Sequence, residues 1–219
     1  MDKNTETGLI QRYSASQRIN HWIIALSFIL LAISGLALFH PSMYWLSNLL
    51  GGGTWTRILH PFIGVFMFVC FFVFAIRMVR HNMLAQHDVT WLKRFRDVLA
   101  KREDRVPESG RYNAGQKLIY WLFVLCMIGL LVTGFVMWRS YFSYLFPIGL
   151  IRFASLVHAF LGFVMICAII VHIYAGIWVK GSVKAMTRGT VTPGWAWKNH
   201  RRWLRQLRGS GSHKQVGSR

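Results

Sequence analysis

The chain of 219 residues is apolar and strongly basic, with 54% hydrophobic residues, 15% charged residues and a net charge of +19. That composition is too apolar for a soluble domain of this length. All seven acidic residues fall in two hydrophilic stretches and long tracts carry no charge, a pattern that is typical of a membrane protein.

Four segments of the chain contain no Asp, Glu, Lys or Arg, namely 19–39, 58–76, 118–138 and 153–179. Each is long enough for the roughly 20 residues that a helix needs to cross a bilayer. We therefore predict an all-α integral membrane protein, a four-transmembrane-helix bundle within residues 1–208, with helices at about 19–39, 58–79, 114–138 and 153–179. The first apolar segment has no small-residue cleavage pattern behind it, so a cleavable signal peptide is not expected.

The basic residues are distributed unevenly between the loops. Only Arg57, Arg139 and Arg152 lie in the loops that follow the first and third spans, and the rest lie at the N-terminus, in or beside the central loop, and in the C-terminal tail. Because short cytoplasmic loops carry the excess of Lys and Arg, both termini are predicted to be cytoplasmic. Anionic membrane lipid attracts such residues at about 1 kcal/mol each. The net charge therefore needs no nucleic acid partner.

The central loop, residues 81–113, contains the stretch DVTWLKRFRDVLAKRED, in which apolar and basic residues alternate at helical spacing. This pattern predicts an amphipathic helix on the membrane surface. A solvated helix packed against a partner is the alternative. The last residues, 209–219, read GSGSHKQVGSR and are predicted to be a disordered tail.

Nine histidines are sorted by their depth in the membrane. Loops and tails hold His40, His81, His87, His200 and His213, whereas the spans hold His21, His60, His158 and His172. Polar groups within a bilayer are costly and usually functional. Each of the four taken singly could also be an interfacial residue or a hydrogen-bonding partner between helices.

The four histidines of the spans form two pairs at matched depth. His21 and His172 lie toward the cytoplasmic side, and His60 and His158 lie toward the outer side. His158 and His172 are 14 residues apart, so they lie on nearly one helix face, about 21 Å apart. Two imidazoles fill both axial positions of a haem iron, which favours electron transfer, whereas zinc prefers three or four converging ligands. The absence of a C-x-x-C-H motif predicts haem without thioether attachment.

Glycines recur near these histidines. Gly162 and Gly176 each follow a histidine of the fourth span by four residues, and Gly35 and Gly64 lie in the first two spans. Small residues let either a porphyrin or a neighbouring helix approach the backbone, and both interpretations remain open.

Four motifs link these residues to a known family: RINHW around His21, RILHPF around His60, GRYNAGQK at 110–117, and VHIYAGIWVKGS around His172. With them the chain resembles the gamma subunit, a membrane cytochrome b, of bacterial respiratory formate dehydrogenase, from about residue 12 to residue 204. The haem-ligand pattern alone would also suit the cytochrome b subunits of nickel-iron hydrogenases. The chain departs from the family pattern at Ser140, where proline is usual, and in the tail sequence KNHRRWLRQ.

The resemblance implies two haem b groups whose iron is held by the same two pairs, His60 with His158 and His21 with His172. It also implies a menaquinone site formed by Asn113, Gly115, Gln116 and His172. Asn113 at a helix start could cap the third span, and free N–H groups there could meet a quinone carbonyl. An ordinary cap followed by a packing glycine would give the same sequence.

The expected function is that of the quinone-reducing electron-transfer subunit of an oxidoreductase complex in the bacterial cytoplasmic (inner) membrane. The resemblance implies an iron-sulfur beta subunit as electron donor and a molybdenum- or tungsten-containing alpha subunit that oxidises formate. Alternatives are a cytochrome b of another complex, such as nickel-iron hydrogenase, and a haem-binding membrane anchor without its own quinone site. A transporter with histidine proton relays ranks last, because the spans contain no carboxylate.

Overall fold

A computed structural model describes residues 8–100, 102 and 105–216, and for residues 210–216 it describes the backbone alone. Nearly all of the regular structure is helical. In chain order the elements are β1 (Ile10–Gln11), α1 (Ala15–Phe39), a 3-10 helix η1 (Pro41–Leu50), α2 (Gly53–Asn82), α3 (Gln86–Lys93), α4 (Phe95–Leu99), α5 (Ala114–Met137), a second 3-10 helix η2 (Ser143–Leu145), α6 (Ile148–Trp178), α7 (Ser182–Arg188), β2 (Thr190–Val191), α8 (Pro193–Asn199) and α9 (Arg201–Val216).

Four of these helices are long and apolar enough to cross a membrane, namely α1, α2, α5 and α6. They contain 25, 30, 24 and 31 residues, which confirms the predicted all-α architecture with four spans. Three of them begin several residues before the predicted start. Hydropathy marks the apolar part of a span, whereas a helical backbone can continue into the polar interface.

The long helices expose large apolar side chains and bury small polar ones. Leu125 and Leu156 keep 66% and 72% of their surface exposed, while Ser34 is fully buried. Large apolar side chains are usually inside a water-soluble protein. Lipid tails are as apolar as leucine, so these outward faces suit a lipid environment.

The chain divides into two compact units. We call residues 16–77 and 121–175 the four-helix unit. We call the described residues of 1–15, 78–120 and 176–219 the terminal unit, because it joins both ends of the chain and the central loop.

The terminal unit is built around a small apolar core. Its buried members are Ala185, Val191, Ala196, Trp203 and Leu204. The antiparallel pair of β1 and β2, with Ile10 opposite Val191, ties the N-terminal segment to this core.

Local sequence signals set the starts and ends of the helices in this core. Gly189 adopts φ +85° after α7, a left-handed conformation that glycine accepts without strain. The Thr192 hydroxyl then accepts a hydrogen bond from the Trp195 backbone N–H at 3.1 Å, and Pro193 occupies the first turn of α8.

A buried arginine links three parts of the terminal unit. Arg12 is only 3% exposed, and its Nη2 donates to the Arg111 carbonyl at 2.7 Å and to His200 Nε2 at 3.2 Å. His200 Nδ1 in turn donates to the Gly110 carbonyl at 2.8 Å. The guanidinium carbon also lies within 5.6 Å of the ring centroids of Tyr13, Tyr112, Trp195 and Trp203.

These surroundings keep His200 neutral. Burial, with the neighbouring Arg12 guanidinium, lowers the pKa of His200 from 6.5 to about 3. The position of His200 in the sequence predicted a loop or tail histidine, and its burial was not predicted.

The central loop differs from the predicted single amphipathic helix. Its described residues include two short helices, α3 and α4, and Arg94 ends the first and begins the second. Trp91 is buried, whereas Phe95 and Leu99 are exposed, so the predicted apolar face is divided between the two helices.

A buried ion pair holds this loop to the start of α5. Lys117 Nζ donates to Asp88 Oδ2 at 2.7 Å and to the Met83 carbonyl at 3.0 Å. Asp88 Oδ2 also accepts the Ala85 backbone N–H at 2.8 Å. Asp88 and Lys117 are 2% and 6% exposed.

The described C-terminal segment is helical, because α9 continues to Val216. The side chains of residues 210–219 and the backbone of residues 217–219 lie outside the described part of the chain. Disorder of the tail at 209–219 therefore stays a prediction.

Candidate functional site

The structure brings the four histidines of the spans together in the two predicted pairs, both within the four-helix unit. His60 of α2 and His158 of α6 have ring centroids 6.3 Å apart, with an angle of 64° between the ring planes. His21 of α1 and His172 of α6 also have centroids 6.3 Å apart, at 45°. We call these the His60 pair and the His21 pair.

The distance within each pair fits two imidazoles bound to opposite sides of one metal ion. A metal–nitrogen bond of about 2 Å and a distance of about 1.1 Å from ring nitrogen to ring centroid would place the centroids of two opposed imidazoles about 6.2 Å apart, close to the observed 6.3 Å. Each ring can rotate about its metal–nitrogen bond, so this arrangement accepts both interplanar angles. Both pairs therefore have the spacing that bis-histidine haem ligation requires.

Two hydroxyl groups hold the rings of the His60 pair. Ser34 Oγ of α1 lies 2.6 Å from His60 Nδ1, and Thr133 Oγ1 of α5 lies 2.8 Å from His158 Nδ1. Each hydroxyl also donates to the carbonyl four residues earlier in its own helix, Ser34 to Leu30 at 2.8 Å and Thr133 to Gly129 at 2.6 Å.

A hydroxyl has one proton, so a hydroxyl that donates to a carbonyl must accept from the imidazole. Nδ1 of His60 and of His158 therefore carries the hydrogen. Their Nε2 atoms have no hydrogen-bond partner in the described part of the chain, and an unprotonated Nε2 is the atom that can ligate a metal.

Each of these hydroxyl residues is followed by a glycine that contacts the same histidine. A Cβ at Gly35 would lie 3.6 Å from His60 Cε1, and a Cβ at Gly134 would lie 3.5 Å from His158 Cε1. The Ser-Gly and Thr-Gly pairs thus support the two rings in the same way from two different helices. Of the glycines singled out in the sequence, Gly162 and Gly176 would each place a Cβ with no neighbour within 4 Å.

The His21 pair lies among aromatic rings. Phe123 of α5 lies 5.8 Å from His172, and Phe74 of α2 lies 6.5 Å from His21, measured between ring centroids. His21 Nδ1 is buried and finds no hydrogen-bond partner among the residues that the structure describes. The two pairs therefore have the same spacing and different support.

Among the described residues, no three His, Cys, Asp or Glu side chains converge as a metal site. The histidines meet in twos and no carboxylate or thiol joins them. This arrangement differs from the three- and four-ligand sites that zinc prefers.

The residues predicted for the quinone site lie at the start of α5. Asn113 Oδ1 accepts the Gln116 backbone N–H at 2.9 Å, and Gln116 Oε1 accepts the Asn113 backbone N–H at 3.0 Å. This reciprocal cap uses both amide oxygens. A Cβ at Gly115 would lie 3.4 Å from the Trp91 ring. These residues belong to the terminal unit and His172 to the four-helix unit, and a shared role for them stays a prediction.

Comparison with known proteins identifies the family. The family model described as prokaryotic cytochrome b561 matches residues 12–189. The chain belongs to the prokaryotic cytochrome b561 family. As a cytochrome b of this family it is a multi-pass membrane protein that carries haem b and serves electron transfer in an oxidoreductase complex.

Three relatives of this cytochrome b are similar over almost their whole length. The formate dehydrogenase cytochrome b556(fdo) subunit of Escherichia coli strain K12 is 46% identical over 199 residues, 91% of this chain and 93% of the relative. The nitrate-inducible cytochrome b556(Fdn) subunit of the same strain is 38% identical over 211 residues, 96% and 97% of the two chains. The cytochrome b556 subunit of Haemophilus influenzae formate dehydrogenase is 41% identical over 197 residues, 90% and 83%. The resemblance noted in the sequence is confirmed.

Sequence analysis of this cytochrome b missed Ser34 and Thr133. Both are uncharged residues inside apolar spans, where a hydroxyl commonly bonds its own helix backbone. The signal that could have identified them is a hydroxyl residue followed by glycine in the C-terminal half of the first and of the third span, opposite a histidine in the N-terminal half of the next span.

Proposed function

We propose that this cytochrome b is the membrane subunit of a respiratory formate dehydrogenase, and that it carries electrons from an outer iron-sulfur subunit to menaquinone at the cytoplasmic side. The single observation that carries the proposal is the repeated distance of 6.3 Å between paired histidine rings. The names of the three relatives support formate dehydrogenase as the complex.

The four histidines would hold two haem b groups. His60 and His158 would ligate the outer haem and His21 and His172 the inner one. Each haem, when bound, supplies an iron that takes up and releases one electron. Two histidines at each iron leave no open coordination position, which favours electron transfer over oxygen chemistry.

The start of α5 would bind the quinone. Because the side-chain oxygens of Asn113 and Gln116 accept backbone hydrogen bonds, their NH₂ groups remain as donors toward a quinone carbonyl. Gly115 lets a flat ring approach the backbone beside Trp91. His172 would contribute from the inner haem. Reduction of menaquinone to menaquinol takes up two electrons and two protons, and the protons would come from the cytoplasm.

The direction of transport depends on the orientation of the chain. We propose that both termini face the cytoplasm of a bacterium, because the connections from α1 to α2 and from α5 to α6, counted with the starts of α2 and α6, contain only three of the 26 basic residues, Arg57, Arg139 and Arg152. Electrons would enter from an iron-sulfur beta subunit, which receives them from a molybdenum- or tungsten-containing alpha subunit. Moving each charge against the membrane potential takes about 2.3 kcal/mol per 100 mV.

The haem-to-protein ratio of the purified complex tests the ligand assignment. We expect two haem b per chain, and one in the His60→Ala variant. His40→Ala is the matched control, because His40 is a histidine that caps η1 by accepting the Ser42 N–H at 3.2 Å and belongs to neither pair. A His60→Ala complex that keeps two haems would overturn the assignment.

Quinol-driven haem reduction tests the quinone site. We expect the Asn113→Ala, Gln116→Ala double variant to keep both haems and to lose their reduction by added menaquinol. Undiminished reduction in this variant would favour the alternative, a haem-binding anchor without its own quinone site.

Co-purification identifies the attached dehydrogenase. We expect the partner subunits to include iron-sulfur and molybdenum or tungsten proteins, and we expect formate to reduce both haems. Reduction by hydrogen and not by formate would instead identify a hydrogenase cytochrome b.

A further inference from the structure

The two histidine pairs differ in the group that faces Nδ1. In the His60 pair a hydroxyl accepts from Nδ1 of each ring, at 2.6 Å and 2.8 Å. In the His21 pair, Nδ1 of His21 is buried without a hydrogen-bond partner among the described residues. The two pairs therefore have the same ring spacing, but they differ in the hydrogen bonding of Nδ1.

We propose that Ser34 and Thr133 are positioning residues that lower the reduction potential of the haem held by the His60 pair, relative to the haem held by the His21 pair. The proposal rests on the proposed function, because it requires a haem at each pair. Neither residue would touch the iron, and both would act through the histidine rings.

The physical cause is the strength of the imidazole as an electron donor. An N–H that donates a hydrogen bond leaves more negative charge on the ring, so the opposite nitrogen becomes a stronger ligand. A stronger ligand stabilises the oxidised iron, which carries the larger positive charge, and so lowers the potential. The effect would apply to both histidines that would hold this haem, because Ser34 lies against one ring and Thr133 against the other.

Each hydroxyl has a backbone acceptor for its own proton, which leaves its oxygen to accept from the ring. Each is committed to a backbone carbonyl of its own helix, that of Leu30 or that of Gly129. The neighbouring glycines, Gly35 and Gly134, face the same rings, where a Cβ would lie 3.6 Å from His60 Cε1 and 3.5 Å from His158 Cε1. The arrangement therefore fixes one tautomer at both histidines, with Nε2 toward the metal.

The sign of the difference agrees with the proposed direction of transport. Electrons entering at the His60 pair would move to a site of higher potential at the His21 pair. The hydroxyls at the His60 pair, with none on His21, would thus favour electron transfer from the His60 pair to the His21 pair. This preference is separate from the membrane potential.

A redox titration of the complete complex, followed by haem absorbance, tests this proposal. The variant is Ser34→Ala with Thr133→Val. We expect the potential of one haem to rise so that, at a fixed ambient potential, its ratio of reduced to oxidised form increases about tenfold, or about 59 mV for a one-electron couple. The affected haem should be the one that is lost in His60→Ala, and the other should not shift.

Conservative and control variants separate this role from a structural one. Ser34→Thr with Thr133→Ser keeps both hydroxyls and should restore the original potential. Thr56→Val is the matched control, because Thr56 is buried in α2 and donates to the Gly52 carbonyl at 2.9 Å without contacting a ligand histidine. It should leave both potentials unchanged. If the double alanine–valine variant loses the haem, each single variant gives the same test, with an expected increase of about threefold.

Three results would overturn the proposal: an unchanged potential in the Ser34→Ala, Thr133→Val complex, a lowered one, or an equal shift in Thr56→Val. The proposed function fails separately, if the unmodified complex contains fewer than two haems. The potential and the haem ratio are measured on the same samples, so the two failures are distinguishable.

Discussion

Histidines in the two units of this cytochrome b differ in how many ring nitrogens are bonded to protein. In the terminal unit, His200 uses Nδ1 on the Gly110 carbonyl and Nε2 on Arg12. In the four-helix unit, His60 and His158 use Nδ1 on a hydroxyl and keep Nε2 for another partner. A buried histidine that is bonded on both nitrogens stabilises the fold, whereas one with a free Nε2 can bind a metal.

The largest expected effect comes from removing a histidine of either pair. His60→Ala should remove one of two haems and leave the other reducible by menaquinol. His172→Ala should also remove one haem, and in addition abolish menaquinol-driven reduction, because His172 is proposed to serve the inner haem and the quinone. Haem content and quinol-driven absorbance changes measure both effects. Equal behaviour of the two variants would contradict the assignment of depth.

Replacing a buried charged group whose partners are all protein groups should change the free energy of unfolding and leave haem binding unchanged. Lys117→Met leaves the Asp88 carboxylate buried without its cation, so we expect a loss of about 3–5 kcal/mol in the free energy of unfolding. Asp88→Asn combined with Lys117→Met removes both charges and keeps an acceptor for the Ala85 N–H, so most of that loss should be recovered. Denaturant titration of the purified chain in detergent measures the difference.

Haem content provides the second readout for this pair of variants. The double variant should retain two haems per chain. A double variant as unstable as Lys117→Met would show that the charge left on Asp88 is not the cause.

The sequence predicted those parts of the structure that depend on the length of the apolar segments and on the depth of the histidines within the spans. Four charge-free segments gave four long helices, and opposite chain directions placed the histidines at two levels. The helix ends were less accurate, since residues such as Ser16 and Gln17 continue α1 beyond the apolar segment.

The parts that sequence did not predict depend on contacts between distant residues. His200 was grouped with the histidines of loops and tails, because hydropathy cannot show that Arg12, near the N-terminus, and Gly110, in the central loop, bind it. Ser34 and Thr133 were missed for a similar reason. Only the distances distinguish a hydroxyl that holds a histidine from one that bonds its helix alone.

The pH dependence of the unfolding free energy tests the structural role of His200 in the terminal unit. The pKa of His200 lies at about 3 in the folded chain, below the ordinary value of 6.5, so the unfolded chain binds this proton first as the pH falls. His200 therefore contributes fully above about pH 6.5, and its contribution declines toward pH 3 by up to about 1.4 kcal/mol per pH unit. His200→Gln cannot bind that proton, so its unfolding free energy should depend less steeply on pH. Identical slopes for the two proteins between pH 4 and about 6.5 would refute this assignment.

The smallest expected effect concerns the Thr192 cap at the start of α8, which lies in the terminal unit. Thr192→Ala removes the acceptor for the Trp195 N–H and should cost about 1 kcal/mol of unfolding free energy, while Thr192→Ser should cost little. Both variants should keep two haems and unchanged potentials, because the cap is complete within the terminal unit. Thr133 is also a threonine, but loss of its hydroxyl should shift a haem potential. Denaturant titration and redox titration of Thr192→Ala and Thr133→Val, made side by side, therefore compare one kind of hydroxyl in its two roles.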